Sequence, residues 1–213
     1  MSDGGILSAG PGPIDASLLF GYYRFEDGAD HPLLTSLPAA MIVRDGAAGT
    51  DPWTTAALRL IALEADRMGD GAGAILTRAV EIVFVQAIRA AIADLRDMSN
   101  VSSFLAALAD RHLTRALTAI HATPAAPWTL TQLAREAGLS RTAFAERFAK
   151  TVGQPPMAYL AGWRVTLAGH LLRDGNLSTD EIAERVGYAS PAAFARRFKA
   201  ATGIGPGAYR RAN

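Results

Sequence analysis

The second half of this chain repeats itself, and that repeat constrains the fold more than any other feature. One copy runs LTQLAREAGLSRTAFAERFAKTVGQPPMAYL from Leu130 to Leu160, and the other STDEIAERVGYASPAAFARRFKAATGIGPGAYR from Ser178 to Arg210. Leu133–Ala134 pairs with Ile182–Ala183, and Gly138 with Gly187, at an offset of 49. One extra residue then shifts the offset to 50 for Ser140/Ser190, Phe144/Phe194, Phe148/Phe198, Gly153/Gly203, Pro156/Pro206 and Tyr159/Tyr209. A period of this length marks a duplicated supersecondary unit.

Each copy opens on a capping box, Thr129-x-x-Gln132 and Ser178-x-x-Glu181, in which side chain and backbone satisfy each other at a helix start. A short helix follows and stops at a glycine, Gly138 or Gly187, where a left-handed residue costs least. Ser140 or Ser190 then caps a second helix, with Pro191 at the first helical position of the later copy. This is helix, tight turn, helix, placed near residues 130–151 and 178–201. Phenylalanines spaced i, i+4 give each second helix a buried stripe. Away from that stripe stand Ser140, Arg141, Thr142, Ala145, Glu146 and Lys150 in the first copy. In the second stand Ser190, Ala192, Ala195, Arg196, Arg197 and Lys199. Basic side chains on a narrow helix suit a major groove bordered by phosphates, so these twelve are the candidate DNA-binding residues.

Charge divides the chain in the same place. Residues 1–110 hold 7 Arg and no Lys against 14 acidic residues, a balance of −7; residues 111–213 hold 12 Arg and 2 Lys against 6, a balance of +8. The formal net charge of +1 hides an acidic front and a basic back that seeks polyanions. The 213 residues are half hydrophobic, which excludes a mainly disordered chain. The absence of cysteine excludes a disulfide scaffold, a cysteine nucleophile and thiolate metal sites.

Ahead of the repeat the pattern is mixed. Residues 1–17 read as a Gly- and Pro-rich leader; Leu18–Glu26 and Met41–Asp45 are β-prone, with turns at Asp27–Gly28 and His31–Pro32. From Asp51–Pro52 the period becomes helical, predicting helices near 53–69 and 74–97 joined by the glycine loop at 69–73 and packed antiparallel. Ile82, Val83, Phe84 and Val85 are consecutive, so this pair, residues 51–98, is expected to join two copies in a homodimer. Arg78, Glu81 and Arg89 interrupt the most apolar stretch, which argues against a membrane span. No basic start precedes an apolar run at the N-terminus, so a cytoplasmic protein is expected.

The repeat, with its ending GYASPAAFARRFKAATGIGPGAYR, resembles the DNA-binding domain of AraC/XylS-type transcription regulators over residues 108–212. The stretch MAYLAGWRVTLAGHLLRD resembles that family's linker helix, with Leu160, Trp163, Leu167 and Leu171 expected to face inward, and DRHLTRALTAIHATP its first helix. FGYYRFEDGADHPLLTSLP resembles, less specifically, the end of a cupin-like sensor domain, with residues 53–97 as the helix pair that follows. The resemblance implies a mainly α chain: two helix-turn-helix motifs on a linker helix, preceded by a short β remnant over residues 1–50 and the helix pair, with residues 99–213 as the DNA-binding domain. Its implied partners are double-stranded DNA and RNA polymerase, and its implied role is activation. In such relatives a full β-barrel precedes these residues. Two strands cannot close a barrel of about eight, so a small-molecule effector site is not expected and the chain reads as a truncated regulator.

No catalytic, cofactor or metal residues are assigned. His31, His112, His121 and His170 lack metal-ligand spacing and read as core or cap histidines, and GAG at 71–73 and GIGPG at 203–207 follow no strand. Trp128, just ahead of a capping box, reads as a buried staple. An alkyl-transfer repair enzyme built on the same module would need a nucleophilic cysteine. The alternative to a working regulator is an interaction module that has lost effector sensing.

Overall fold

The computed structural model describes residues 32–37, 52–67, 69–96 and 104–212. The chain forms two compact units, Met1–Arg24 with Gly46–Phe84, and Phe25–Asp45 with Val85–Asn213. Both β-prone segments, the leader and His31 lie outside the described residues.

A single-turn helix, α1 (Pro32–Thr35), stands at the expected HPLL turn, with Thr35 Oγ1 donating to the Pro32 carbonyl at 3.2 Å. The two helices predicted next are present as α2 (Pro52–Arg67) and α3 (Ala72–Arg96). Gly71 stands in the turn between them at φ +85°. Thr54, Ala57 and Ile61 of α2 and Ala72 and Ala79 of α3 are buried. Close backbone packing of α2 on α3 is not found among the described residues. Leu58, Leu60 and Leu63 of α2 are exposed.

The second unit continues through α4 (Phe104–Ala109), which the sequence reading did not foresee, and α5 (Arg111–Ala122). The first motif is α6 (Leu130–Ala137) and α7 (Arg141–Val152), and α8 (Pro156–Asp174) is the linker. The second motif is α9 (Thr179–Arg185) and α10 (Pro191–Thr202), followed by α11 (Pro206–Ala212). Both capping boxes form in full, and the Ser140 and Ser190 hydroxyls each accept a hydrogen bond at 3.2 Å, from the Ala143 and Ala193 amides.

Two hydrophobic cores result, and α8 serves both. Leu113, Leu117, Leu133, Phe144, Phe148, Tyr159 and Leu160 dominate the first; Leu33 of α1 and Trp128 pack against it. Trp128, expected as a buried staple, is half-buried against the first core, and its indole N–H donates to the Thr123 carbonyl at 2.9 Å. The second core gathers Val165, Leu172, Ile182, Phe194 and Phe198. Along α8 the buried positions are Pro156, Tyr159, Leu160, Val165, Ala168, Gly169 and Leu172. Leu160 is as expected, whereas Trp163, Leu167 and Leu171 are only half-buried because the helix must turn its face from one core to the next.

Candidate nucleic-acid interface

Each second helix is fixed from beneath by its phenylalanine pair. Phe144 and Phe148 meet edge-on at 5.6 Å and Phe194 and Phe198 tilted at 5.5 Å, all four fully buried. Tyr159 and Tyr209 close the matching contacts, at 5.7 Å from Phe148 and 5.2 Å from Phe198. Burying those rings forces the opposite helix face outward.

On that face Ser140, Arg141, Thr142, Glu146 and Lys150 of the first motif are exposed, as are Ser190, Ala192, Arg196, Arg197 and Lys199 of the second. Ala145 and Ala195 are half-buried at matching positions, closer to the core edge than the spacing predicted. The serine hydroxyls are occupied in capping, so their first task is to start the helices. Glu146 occupies the place that Arg196 holds in the second copy.

Two further cations bear on this surface. Arg147, which the 50-residue offset maps onto Arg197, is half-exposed on α7, and its Nε donates to Asp110 Oδ2 at 2.5 Å. Asp110 also caps α5, its Oδ1 accepting from the His112 and Leu113 amides at 2.8 and 3.2 Å. Burial pushes the Asp110 carboxyl up, but the Arg147 hydrogen bond, the two amides and the Arg147 charge together hold it below its ordinary value. Arg135 is the second. With Thr131, Ala134, Gly138, Leu139 and Arg141 it lines an open cleft of about 430 Å³ at the turn of the first motif. The sequence carried a signal for Arg147 in the offset, and none for Arg135 beyond its charge.

The histidines have structural partners. His112 Nδ1 donates to the Ala137 carbonyl at 2.7 Å, at the C-terminal end of α6. His121 Nε2 lies 2.7 Å from the Tyr159 hydroxyl, with its ring 4.3 Å from that of Trp163. Arg173 donates to His170 Nδ1 at 3.0 Å. Among the described residues no group of three or more His, Asp or Glu could hold a metal ion. Nor is any helix there long and apolar enough to cross a membrane.

Duplicated capped helix pairs on a linker helix, with cationic second helices, define a double helix-turn-helix protein. Residues 133–212 match the helix-turn-helix domain family and residues 2–93 the cupin family. The chain is 38% identical over 180 residues to the HTH-type transcriptional regulator AlkR of Acinetobacter baylyi, covering 84% of this chain and 58% of that protein. It is 37% identical over 212 residues to an AraC-like transcription regulator of Streptomyces lividans, covering 99% of this chain and 68% of that one. Among solved structures, the DNA-binding domain of AdpA in complex with a target DNA is 33% identical, covers 48% of this chain and 92% of that chain, and gives a TM-score of 0.46. The chain belongs to the AraC-like transcription regulators.

Proposed function

We propose that residues 99–213 bind promoter DNA by setting α7 and α10 into two successive major grooves on one side of the duplex. The observation that carries this reading is the pairing of two outward cationic helices on one linker. The 19 residues of α8 span about 28 Å at 1.5 Å per residue, and the motifs at its ends extend that toward the 34–36 Å of about one DNA turn. Arg141, Thr142, Glu146 and Lys150 form the first reading surface, and Ala192, Arg196, Arg197 and Lys199 the second, with Ser140 and Ser190 at the helix starts and Ala145 and Ala195 at the rim. Arg135 joins them as a phosphate contact beside the first turn. The basic half makes binding steeply salt-dependent, about −0.9 per neutralised phosphate on the log–log slope.

The chain acts in the cytoplasm as a regulator rather than an enzyme, with activation through RNA polymerase as its mode. Within residues 51–98, the exposed Leu58, Leu63, Ile75 and Ile82 supply an apolar surface for a homodimer. Val83 is half-buried, so Ile82→Glu is the substitution that shifts sedimentation toward monomer. The DNA reading is tested by footprinting on a duplex selected from a random pool. Two protected segments one turn apart are expected, with a large loss of affinity when half a turn is inserted between them. Affinity that ignores both salt and the insertion would falsify it.

A further inference from the structure

Arg164, midway along α8, reaches the loop ahead of the first motif and the turn of the second at once. Its Nε donates to the Pro124 carbonyl at 2.8 Å and its Nη2 to the Ala126 carbonyl at 2.8 Å. Its Nη1 donates to the Gly187 carbonyl at 2.9 Å, and the guanidinium carbon stands 5.8 Å from the centre of the Tyr188 ring. Pro124 and Ala126 lie in the loop that leads into the first motif; Gly187 and Tyr188 are the turn of the second. A planar guanidinium with five fixed donors can bridge three carbonyls in this way, and a lysine ammonium cannot reproduce the fork.

The same loop touches the second motif at a second point. Gly187 has φ +86°, and a Cβ there would lie 2.6 Å from the Ala125 carbonyl oxygen and 2.7 Å from its Cα. The matching Gly138 has φ +67°, but its nearest neighbour would be the far end of Arg115, at 3.6 Å. Left-handed backbone explains glycine at both turns. Only at Gly187 does the close approach of another backbone also demand it.

We propose that Arg164 and Gly187 are positioning residues that lock the two helix-turn-helix motifs into one rigid body and so set the spacing and rotation at which α7 and α10 meet DNA. The consequence for DNA rests on the two-groove reading above. The two motifs have separate hydrophobic cores and share α8. The lock ties the loop ahead of the first motif to the turn of the second. A locked pair presents its second helix at high effective concentration once the first is bound, provided the half-sites are correctly spaced. A loosened pair loses that gain and tolerates wrong spacing.

The absence of native cysteine allows clean labelling. Spin labels at Thr131→Cys and Glu184→Cys, both exposed, report the distance between α6 and α9 without DNA. A narrow distribution is expected in the parent, a broad one in Arg164→Ala and an intermediate one in Arg164→Lys. An Arg164→Ala distribution as narrow as the parent's overturns the lock. On duplexes selected by the parent, Arg164→Ala should lose about 10- to 100-fold on the full site, keep its affinity for either half-site, and lose most of the penalty for a half-turn insertion. Equal losses on full and half-sites overturn the proposal too. Circular dichroism checks folding. Should Arg164→Ala not fold, Gly187→Ala is compared with Gly138→Ala, since both strain the turn and only the first meets Ala125; equal broadening then overturns the lock. A parent that enriches no duplex from the random pool defeats the DNA reading, while the label distances still decide the lock.

Discussion

The two motifs share a sequence pattern and a backbone, yet they are supported in different ways. The first core holds thirteen buried residues and draws on α4 and α5; the second holds eight, from α8, α9 with its C-cap Val186, and α10. Equivalent tyrosines differ in their partners: Tyr159 shares a hydrogen bond with His121, whereas the Tyr209 hydroxyl accepts from Arg173 at 2.7 Å. Equivalent arginines differ as well. Arg147 is tied to Asp110, while Arg197 faces Tyr188 across the turn of its own motif. Duplication therefore preserved the capped helix pair and let its surroundings diverge. One copy became a well-braced frame, and the other a lighter module with a smaller core.

The largest expected effects come from attacking the two cores in parallel. Phe148→Ala and Phe198→Ala each empty a fully buried site and should cost about 3–5 kcal/mol. The smaller core has less left to hold it, so Phe198→Ala should open α9–α11 while α5–α7 stay folded. Hydrogen exchange resolved by segment checks this, through rapid exchange in the second motif and protection in the first. Simultaneous loss of protection in both would mean that the cores are one cooperative unit, with no difference in bracing between the motifs.

Next in size is the difference between the reading helices. Arg196→Ala removes a side chain able to hold a guanine edge and should cost about 1–3 kcal/mol on a selected duplex, with relaxed preference at one base pair. Glu146, at the matching position, should behave in the opposite sense. Glu146→Gln removes a carboxylate from beside the phosphates, so binding to unrelated DNA should tighten while selectivity falls. Filter binding of all three proteins to selected and random duplexes measures the ratio. If Glu146→Gln weakens binding to both duplexes as Arg196→Ala weakens the first, the two positions do not play opposed roles.

Much of this architecture was legible because local rules and the repeat agree. Caps, glycine turns and the phenylalanine stripe are encoded within four residues of each other, so the order of α5–α10 and the inward rings could be read directly. The linker helix was read less well. An inward stripe was expected at regular spacing through Trp163, Leu167 and Leu171, but serving two cores in succession moves the buried positions to Val165, Ala168 and Leu172. Arg164 and the Asp110–Arg147 pair were illegible for a different reason. Their partners lie 23 to 40 residues away and are mostly backbone carbonyls or a capping carboxylate, which leave no mark in a pattern of residue types. The β-prone segments before Asp51 lie outside the described residues and remain expectations.

The smallest expected effect concerns Asp110, and it separates bracing from capping. Its carboxyl is held below the ordinary 3.8 by Arg147 and by the α5 amides, against the opposing pull of burial. A depressed carboxylate contributes stability that is fully present above its unfolded pKa and is lost as pH falls through the folded one. The first motif should therefore lose stability on acidification below about pH 4, over and above the general acid effect. Asparagine caps helices about as well as aspartate, so Asp110→Asn keeps the α5 start and removes the charge facing Arg147. Near neutral pH the loss should be modest, because the Arg147 side chain is 49% exposed and solvent screens the pair. Thermal melts of parent and Asp110→Asn should converge as the pH is lowered. Arg197 has no carboxylate within ion-pair distance among the described residues, so Arg197→Gln should leave the acid limb as it is in the parent. If Asp110→Asn melts below the parent by the same margin at pH 3 as at pH 7, the side chain acts on α5 through capping geometry alone, and the bracing of α7 must come from its phenylalanines.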